Sequence, residues 1–230
     1  MRFCPSPNFD ARSGPVRMCV LHYTGMQSAE AALARLCDPA AKVSAHYLVE
    51  EDGSIVQLVE EEARAWHAGV ARWRGVTDVN GASIGIELVN PGHEWGYRPF
   101  TRDQIDALVP LVAEIVGTYG IEPANVVGHS DVAPARKQDP GELFPWGLLA
   151  RVGLASRRPV KGLVDPGWDD GAFALALERW GYDIAEPEAA TVAFQRRFRP
   201  ELIDGMVDGE CRAILMALLL ARDGGSDMGG

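Results

Sequence analysis

The sequence predicts an α/β domain followed by a small helical unit. Three observations carry this. Short apolar, branched stretches alternate with stretches of helical spacing up to about residue 152, a proline- and glycine-bearing run follows, and the segments beyond it show helical spacing alone. The first strand is expected over Arg17–Tyr23, an apolar run that ends on His22. Ser28 caps a short helix through Leu36, closed before Pro39. Strands at 43–50 and 54–59 are joined by Glu51-Asp-Gly-Ser54, whose Asp-Gly pair favours a hairpin. Residues 60–82, with Trp66, His67, Trp73, Gly69, Gly75 and Gly81, read as one long functional loop.

Period-two alternation over Ser83–Asn90 sends Ile84, Ile86 and Leu88 to one face and Ser83, Gly85 and Glu87 to the other. Thr101-x-x-Gln104 is a capping box for a helix whose apolar positions run from Ile105 to Tyr119 and stop at Gly120; Pro110 inside it should bend the axis. The short strand Val126–Gly128 delivers His129, and Phe144–Val152 supplies a closing helix. Linker composition over 155–170 divides a unit spanning 1–154 from a helical unit spanning 171–223. Residues 224–230 read as a disordered tail.

With 230 residues, 47% hydrophobic and 23% charged, the chain has apolar material for one medium and one small core. A formal charge of −10 argues against a nucleic-acid partner. The sequence has no apolar run long enough for a membrane segment and no apolar leader at its start. It is expected in the cytoplasm, or in the periplasm if an export signal has been removed. Cys4, Cys19, Cys37 and Cys211 lack C-x-x-C spacing and read as reduced thiols.

Chemistry concentrates in Val127–Gly141, where His129, Lys137 and Asp139 share one loop. An imidazole nitrogen and a carboxylate oxygen are ordinary zinc ligands, and His22 at its strand end is the best third. Two His and one Asp leave a fourth position open, as a catalytic zinc requires. Taken singly, His22 also reads as a core histidine and Asp139 as a turn residue. Glu87, a carboxylate in an apolar strand, suits a general base, and Lys137 suits stabilisation of an oxyanion; the plain alternative is an outward Glu87 paired with a surface lysine and Lys137 as a solvated loop charge.

The motifs LHYT (21–24), SAHY (44–47), WHAG (66–69), SIGIELVN (83–90) and GHSDVAPARKQDPG (128–141) resemble those of the zinc-dependent N-acetylmuramoyl-L-alanine amidases related to peptidoglycan recognition proteins, over roughly residues 3–150. The resemblance implies a central mixed β-sheet flanked by helices and Zn2+ held by His22, His129 and Asp139. It also implies Glu87 and Lys137 as catalytic groups, and Tyr47, His67 and Asn80 at the substrate. His46 is read as either a supporting or a core residue, and His93 as surface. Thr191–Phe198 with Asp204–Gly209 is similar to a three-helix peptidoglycan-binding domain. The implied reaction cleaves the amide between N-acetylmuramic acid, or its 1,6-anhydro form, and L-alanine of peptidoglycan fragments, in cytoplasmic recycling. An exported amidase acting on intact wall and a non-catalytic muropeptide-binding protein are the alternatives.

Overall fold

The structure, a computed structural model, describes residues 1–225. The strands β1 (Arg2–Phe3), β3 (Met18–Tyr23), β4 (Tyr47–Val49), β5 (Ile55–Gln57), β7 (Ser83–Leu88) and β8 (Val126–Gly128) form one mixed sheet in the order β1-β5-β4-β7-β3-β8. β4 and β5 pair antiparallel through the expected Asp52-Gly53 hairpin, whereas β4, β7, β3 and β8 run parallel. A second, small sheet joins β2 (Phe9–Ala11) to β6 (Ala63–Ala65). That pairing corrects the single loop expected over 60–82, which also carries the one-turn helix α2 (Val79–Ala82). β6 escapes a local reading because three residues show little alternation and their partner lies far back in the chain.

Helices follow the cues that predict them. α1 (Ala29–Cys37) starts where the Ser28 hydroxyl accepts from Ala31 N–H. Beyond the short α3 (Gly92–Trp95), α4 (Arg102–Tyr119) opens on the full Thr101–Gln104 capping box and ends at Gly120 with φ 62°, a left-handed cap suited to glycine. It continues through Pro110, which lies on its exposed side. The closing helix is α6 (Trp146–Arg151), and α7 (Asp170–Trp180), α8 (Pro187–Phe198) and α9 (Gly209–Gly225) make the helical unit. α9 takes in the first two residues of the expected tail; 226–230 lie outside the described residues. Among the described residues no helix is long and apolar enough to cross a membrane.

Each sheet face buries different partners. Leu21, Tyr47, Ile84, Ile86 and Leu88 pack behind the sheet against Ile105, Leu108, Val112 and Ile115 of α4 and against α6. On the front, Leu48 and Val56 pack under α1 through Ala32 and Leu36. At the other end, Met18, Val20 and Val127 join Phe173, Leu177, Phe194 and Leu215 of the helical unit in one cluster. The helices beyond the linker therefore share the core of the sheet. Between the two front clusters, the carboxyl ends of β3 and β7 are left for polar residues.

Leu108 is fully buried behind the sheet. Leu108→Ala is expected to lower unfolding stability by about 2–5 kcal/mol, read as a reduced urea midpoint at unchanged slope.

Candidate active site

Parallel strands gather functional groups at their carboxyl ends. Here His22 is the penultimate residue of β3, its register neighbour on β7 is Glu87, and β8 runs directly into His129 at the start of the one-turn helix α5 (His129–Val132). Asp139 returns from the following loop, whose backbone is tied to α5 by Ser130 N–H donating to Asp139 O at 2.8 Å. The result is a tight cluster. His22 Nδ1 lies 2.9 Å from His129 Nδ1 and 3.0 Å from Asp139 Oδ2, and His129 Nδ1 lies 3.1 Å from the same oxygen. All three residues are buried.

The hydrogen bonds behind the cluster settle its proton inventory. The Ser83 hydroxyl donates to Val79 O at 2.6 Å, so toward His67 it can only accept, from Nε2–H at 3.1 Å. His67 Nδ1 then carries a lone pair and accepts from His22 Nε2–H at 3.0 Å. His22 Nδ1 is left bare. On the other side, His129 Nε2–H donates to Ala68 O at 3.0 Å, which leaves its Nδ1 bare as well. Two imidazole lone pairs and a carboxylate oxygen thus converge without a proton to share. Such a set is repulsive alone and suits a divalent cation; two nitrogens and one oxygen fit zinc with a position left open.

Charge states agree with this geometry. Burial, with the neighbouring His129, pushes His22 down to about 4, and burial also holds His67 well below its ordinary value, so both rings are neutral. Burial alone would raise the Asp139 carboxyl, but His129 and His22 outweigh it and hold it far below the usual carboxylate range. For Glu87 burial wins: together with the charge of Asp139 it pushes the carboxyl well above its ordinary value, against an opposing pull from Lys137.

Glu87, His129, Lys137 and Asp139 line one cleft of about 350 Å³ together with Tyr23 and Trp66. Glu87 Oε2 is buried with no hydrogen-bond partner among the described residues, as befits an oxygen that meets its partner only when the cleft is filled. A second hollow of about 430 Å³ continues past Trp66, His67 and Lys137 to Arg64 and Asn80.

His22, His129, Asp139, Glu87 and Lys137 are therefore brought together as expected. Tyr47 is not. Its register with Ile86 turns it to the back of the sheet, where its hydroxyl donates to Glu61 at 2.8 Å, so the substrate contact expected of it is withdrawn. His67 lies in the cleft wall, but both ring nitrogens are engaged with His22 and Ser83. Gly85 makes this approach feasible, since a Cβ there would stand 2.4 Å from the His67 ring. Asn80 lines the second hollow while its Oδ1 accepts from His67 and Ala68 N–H, holding the segment behind His22 and His129. His46 is a buried supporting residue whose Nδ1 accepts from Gly85 N–H at 2.9 Å. His93 departs from its surface reading. It bonds the Tyr23 hydroxyl at 2.9 Å and Glu142 at 3.1 Å.

Two contributors escape sequence reasoning. Ser83 shares the face of Glu87 in the alternation, a signal that could have marked it. Arg12 donates to the backbone oxygens of Glu61, Ala63, Gly81 and Ser83, and a lone arginine in an irregular segment carries no such signal.

A family model described as N-acetylmuramoyl-L-alanine amidase matches residues 12–142. The chain belongs to this amidase family. Among its relatives, the N-acetylmuramoyl-L-alanine amidase AmiD of Escherichia coli is 40% identical, across 89% of this chain and 82% of its own. The 1,6-anhydro-N-acetylmuramyl-L-alanine amidase AmpD of Enterobacter cloacae is 35% identical, across 63% of this chain and 86% of its own. The solved complex of Escherichia coli AmiD with anhydro-N-acetylmuramic acid-L-Ala-D-γ-Glu-L-Lys superposes with a TM-score of 0.81 at 38% identity, covering 94% of this chain and 93% of that one. Pseudomonas aeruginosa AmpDh3 with an anhydromuramic pentapeptide gives 0.80 at 35%, covering 96% of each chain.

In the metal-free amidase the neutral histidines set a pH dependence. His22 and His46 titrate at about 4 and about 3 in the fold against 6.5 ordinarily, so as pH falls the unfolded chain binds protons first. Their contribution is present above about pH 6.5 and is lost as pH drops toward 4. Glu87 acts in the opposite sense, because its raised carboxyl keeps a proton in the fold, so the profile is read in a Glu87→Gln background. Urea midpoints of metal-stripped protein should decline over this range; a flat profile would contradict neutral buried imidazoles.

Proposed function

We propose that the amidase holds zinc at His22, His129 and Asp139 and hydrolyses the bond between N-acetylmuramic acid, or its 1,6-anhydro form, and L-alanine of the stem peptide. The convergence of three proton-free donor atoms beside the unpartnered Glu87 oxygen carries this reading. Zinc, when bound, supplies Lewis acidity toward the amide carbonyl and toward water.

The chain's own residues supply the proton traffic. Glu87 at the cleft floor takes a proton from the attacking water as its oxygen bonds to the lactyl carbonyl carbon. It returns that proton to the L-alanine nitrogen as the C–N bond breaks. A raised carboxyl pKa serves both halves of this exchange. Lys137 places an ammonium in the same cleft to offset charge growing on the carbonyl oxygen. His67 and Ala68 O keep the ligand nitrogens aimed, and Trp66 offers an aromatic wall to the bound muropeptide.

Anhydro-muropeptides are turnover fragments, and the relatives solved with them support a recycling role for this chain. In this reading it acts in the cytoplasm, where recovered fragments are processed. The helices α7–α9 favour a second reading, hydrolysis of intact wall with those helices as a peptidoglycan-binding unit. Mass spectrometry of products from purified anhydro-muropeptides and from intact sacculi decides between them. Preferential release of stem peptide from the fragments is expected, and equal cleavage of sacculi would favour the second.

Asp139→Ala is expected to abolish cleavage and zinc retention together, measured by product formation and metal content. Glu87→Gln should keep zinc yet lower kcat by about 10²–10⁴-fold. In wild type, kcat/KM should fall as pH drops through a value above the ordinary carboxylate range, because Glu87 must be ionised to act as a base. That acid limb should vanish in Glu87→Gln. Near wild-type turnover in this variant would remove Glu87 from the proton path.

A further inference from the structure

We infer that Arg197 and Tyr182, from the helical unit, are positioning residues for the metal ligand His129, acting through Asp131. The helices α7–α9 would then be part of the metal centre's scaffold, in addition to any contact they make with peptidoglycan. This inference rests on the zinc reading above.

Asp131 lies in α5, two residues after His129. Its Oδ2 accepts from Gly128 N–H at 2.7 Å, which fixes the peptide entering His129. The same oxygen accepts from Arg197 Nη1 at 2.8 Å, and Oδ1 accepts from the Tyr182 hydroxyl at 2.7 Å. Arg197 also donates through Nη2 to Val126 O at 2.9 Å, at the start of the strand that delivers His129. One guanidinium therefore spans both ends of the segment Val126–Asp131. Its planar fork matches this two-point contact, and the Trp146 ring centroid lies 3.7 Å from its central carbon, which leaves it little freedom.

Burial makes the arrangement stiff. The Arg197 and Asp131 side chains are 4% and 1% exposed, so the pair is shielded from water and its hydrogen bonds are strong. The remaining backbone groups around His129 are engaged as well: Ser130 N–H with Asp139 O, and Ala133 N–H with His129 O. What Arg197 and Tyr182 add is a fixed origin for the imidazole, supplied by a part of the chain that contributes no metal ligand. Partners that orient a ligand typically alter metal affinity about 10–100-fold when removed.

The test uses full-length Tyr182→Phe and Arg197→Lys, with zinc affinity read by competition against a chromophoric chelator. Arg197→Lys keeps the charge but loses the two-point fork, which spares Asp131 an unpaired buried charge. Tyr182→Phe keeps the ring and removes one hydrogen bond, and so remains informative if the arginine variant fails to fold. The zinc dissociation constant is expected to rise about 10–100-fold in Arg197→Lys and less in Tyr182→Phe. Arg158→Ser, which cuts the exposed pairs to Glu201 and Glu210 beside the same helices, should leave it unchanged. Variants whose metal-free melting temperature falls while zinc affinity stays at the wild-type value would overturn the inference and make the contact purely structural. Failure of the wild-type chain itself to take up zinc would sink the metal reading, and this inference with it.

Discussion

Three lone pairs forced toward one point are the constraint on which the rest of this molecule depends. His22 and His129 could each present either ring nitrogen, and the choice is made by hydrogen bonds one residue further out. Ser83 commits its proton to Val79, so His67 must donate to Ser83 and accept from His22; Ala68 O does the equivalent work for His129. Burial then keeps His22 neutral, while the neighbouring histidines, against burial, hold Asp139 ionised. Without these outer bonds the same residues would form an ordinary buried polar cluster, with protons available to satisfy one another.

The sheet explains why this arrangement sits where it does. Its back face is closed by α4 and α6, while its front carries two separate apolar clusters, one under α1 and one under the C-terminal helices. The gap between them coincides with the carboxyl ends of β3 and β7. There His22 and Glu87 stand side by side in register, one in the donor cluster and the other with an oxygen that has no hydrogen-bond partner among the described residues. Adjacency across parallel strands thus sets the donor cluster beside a buried carboxylate.

Much of this was legible in the sequence because the governing signals are local. The capping box at Thr101, the left-handed stop at Gly120, the Asp-Gly hairpin and the alternation that separates Glu87 from Ile86 each follow from a few neighbouring residues. The cluster of His22, His129 and Asp139 was legible because His129 and Asp139 share a loop and His22 lies near the end of an apolar strand. What failed was long-range. β6 finds its partner in β2, more than fifty residues away in the chain. Tyr47 was assigned by motif to the cleft, although register with Ile86 turns it to the back of the sheet. His67 was placed in the cleft wall, but its bond to Ser83 was not foreseen, because it joins residues that no periodicity links.

The apolar cluster shared by β3, β8 and α7–α9 bears on how such a chain can evolve. A module tethered only by a linker can be recombined between genes as a cassette, its hydrophobic interior travelling with it. Here Phe173, Phe194 and Leu215 complete their packing on Met18, Val20 and Val127, so excision would strip both parties of their lining. Exchanging this C-terminal segment for another would therefore require the strand face beneath it to change as well.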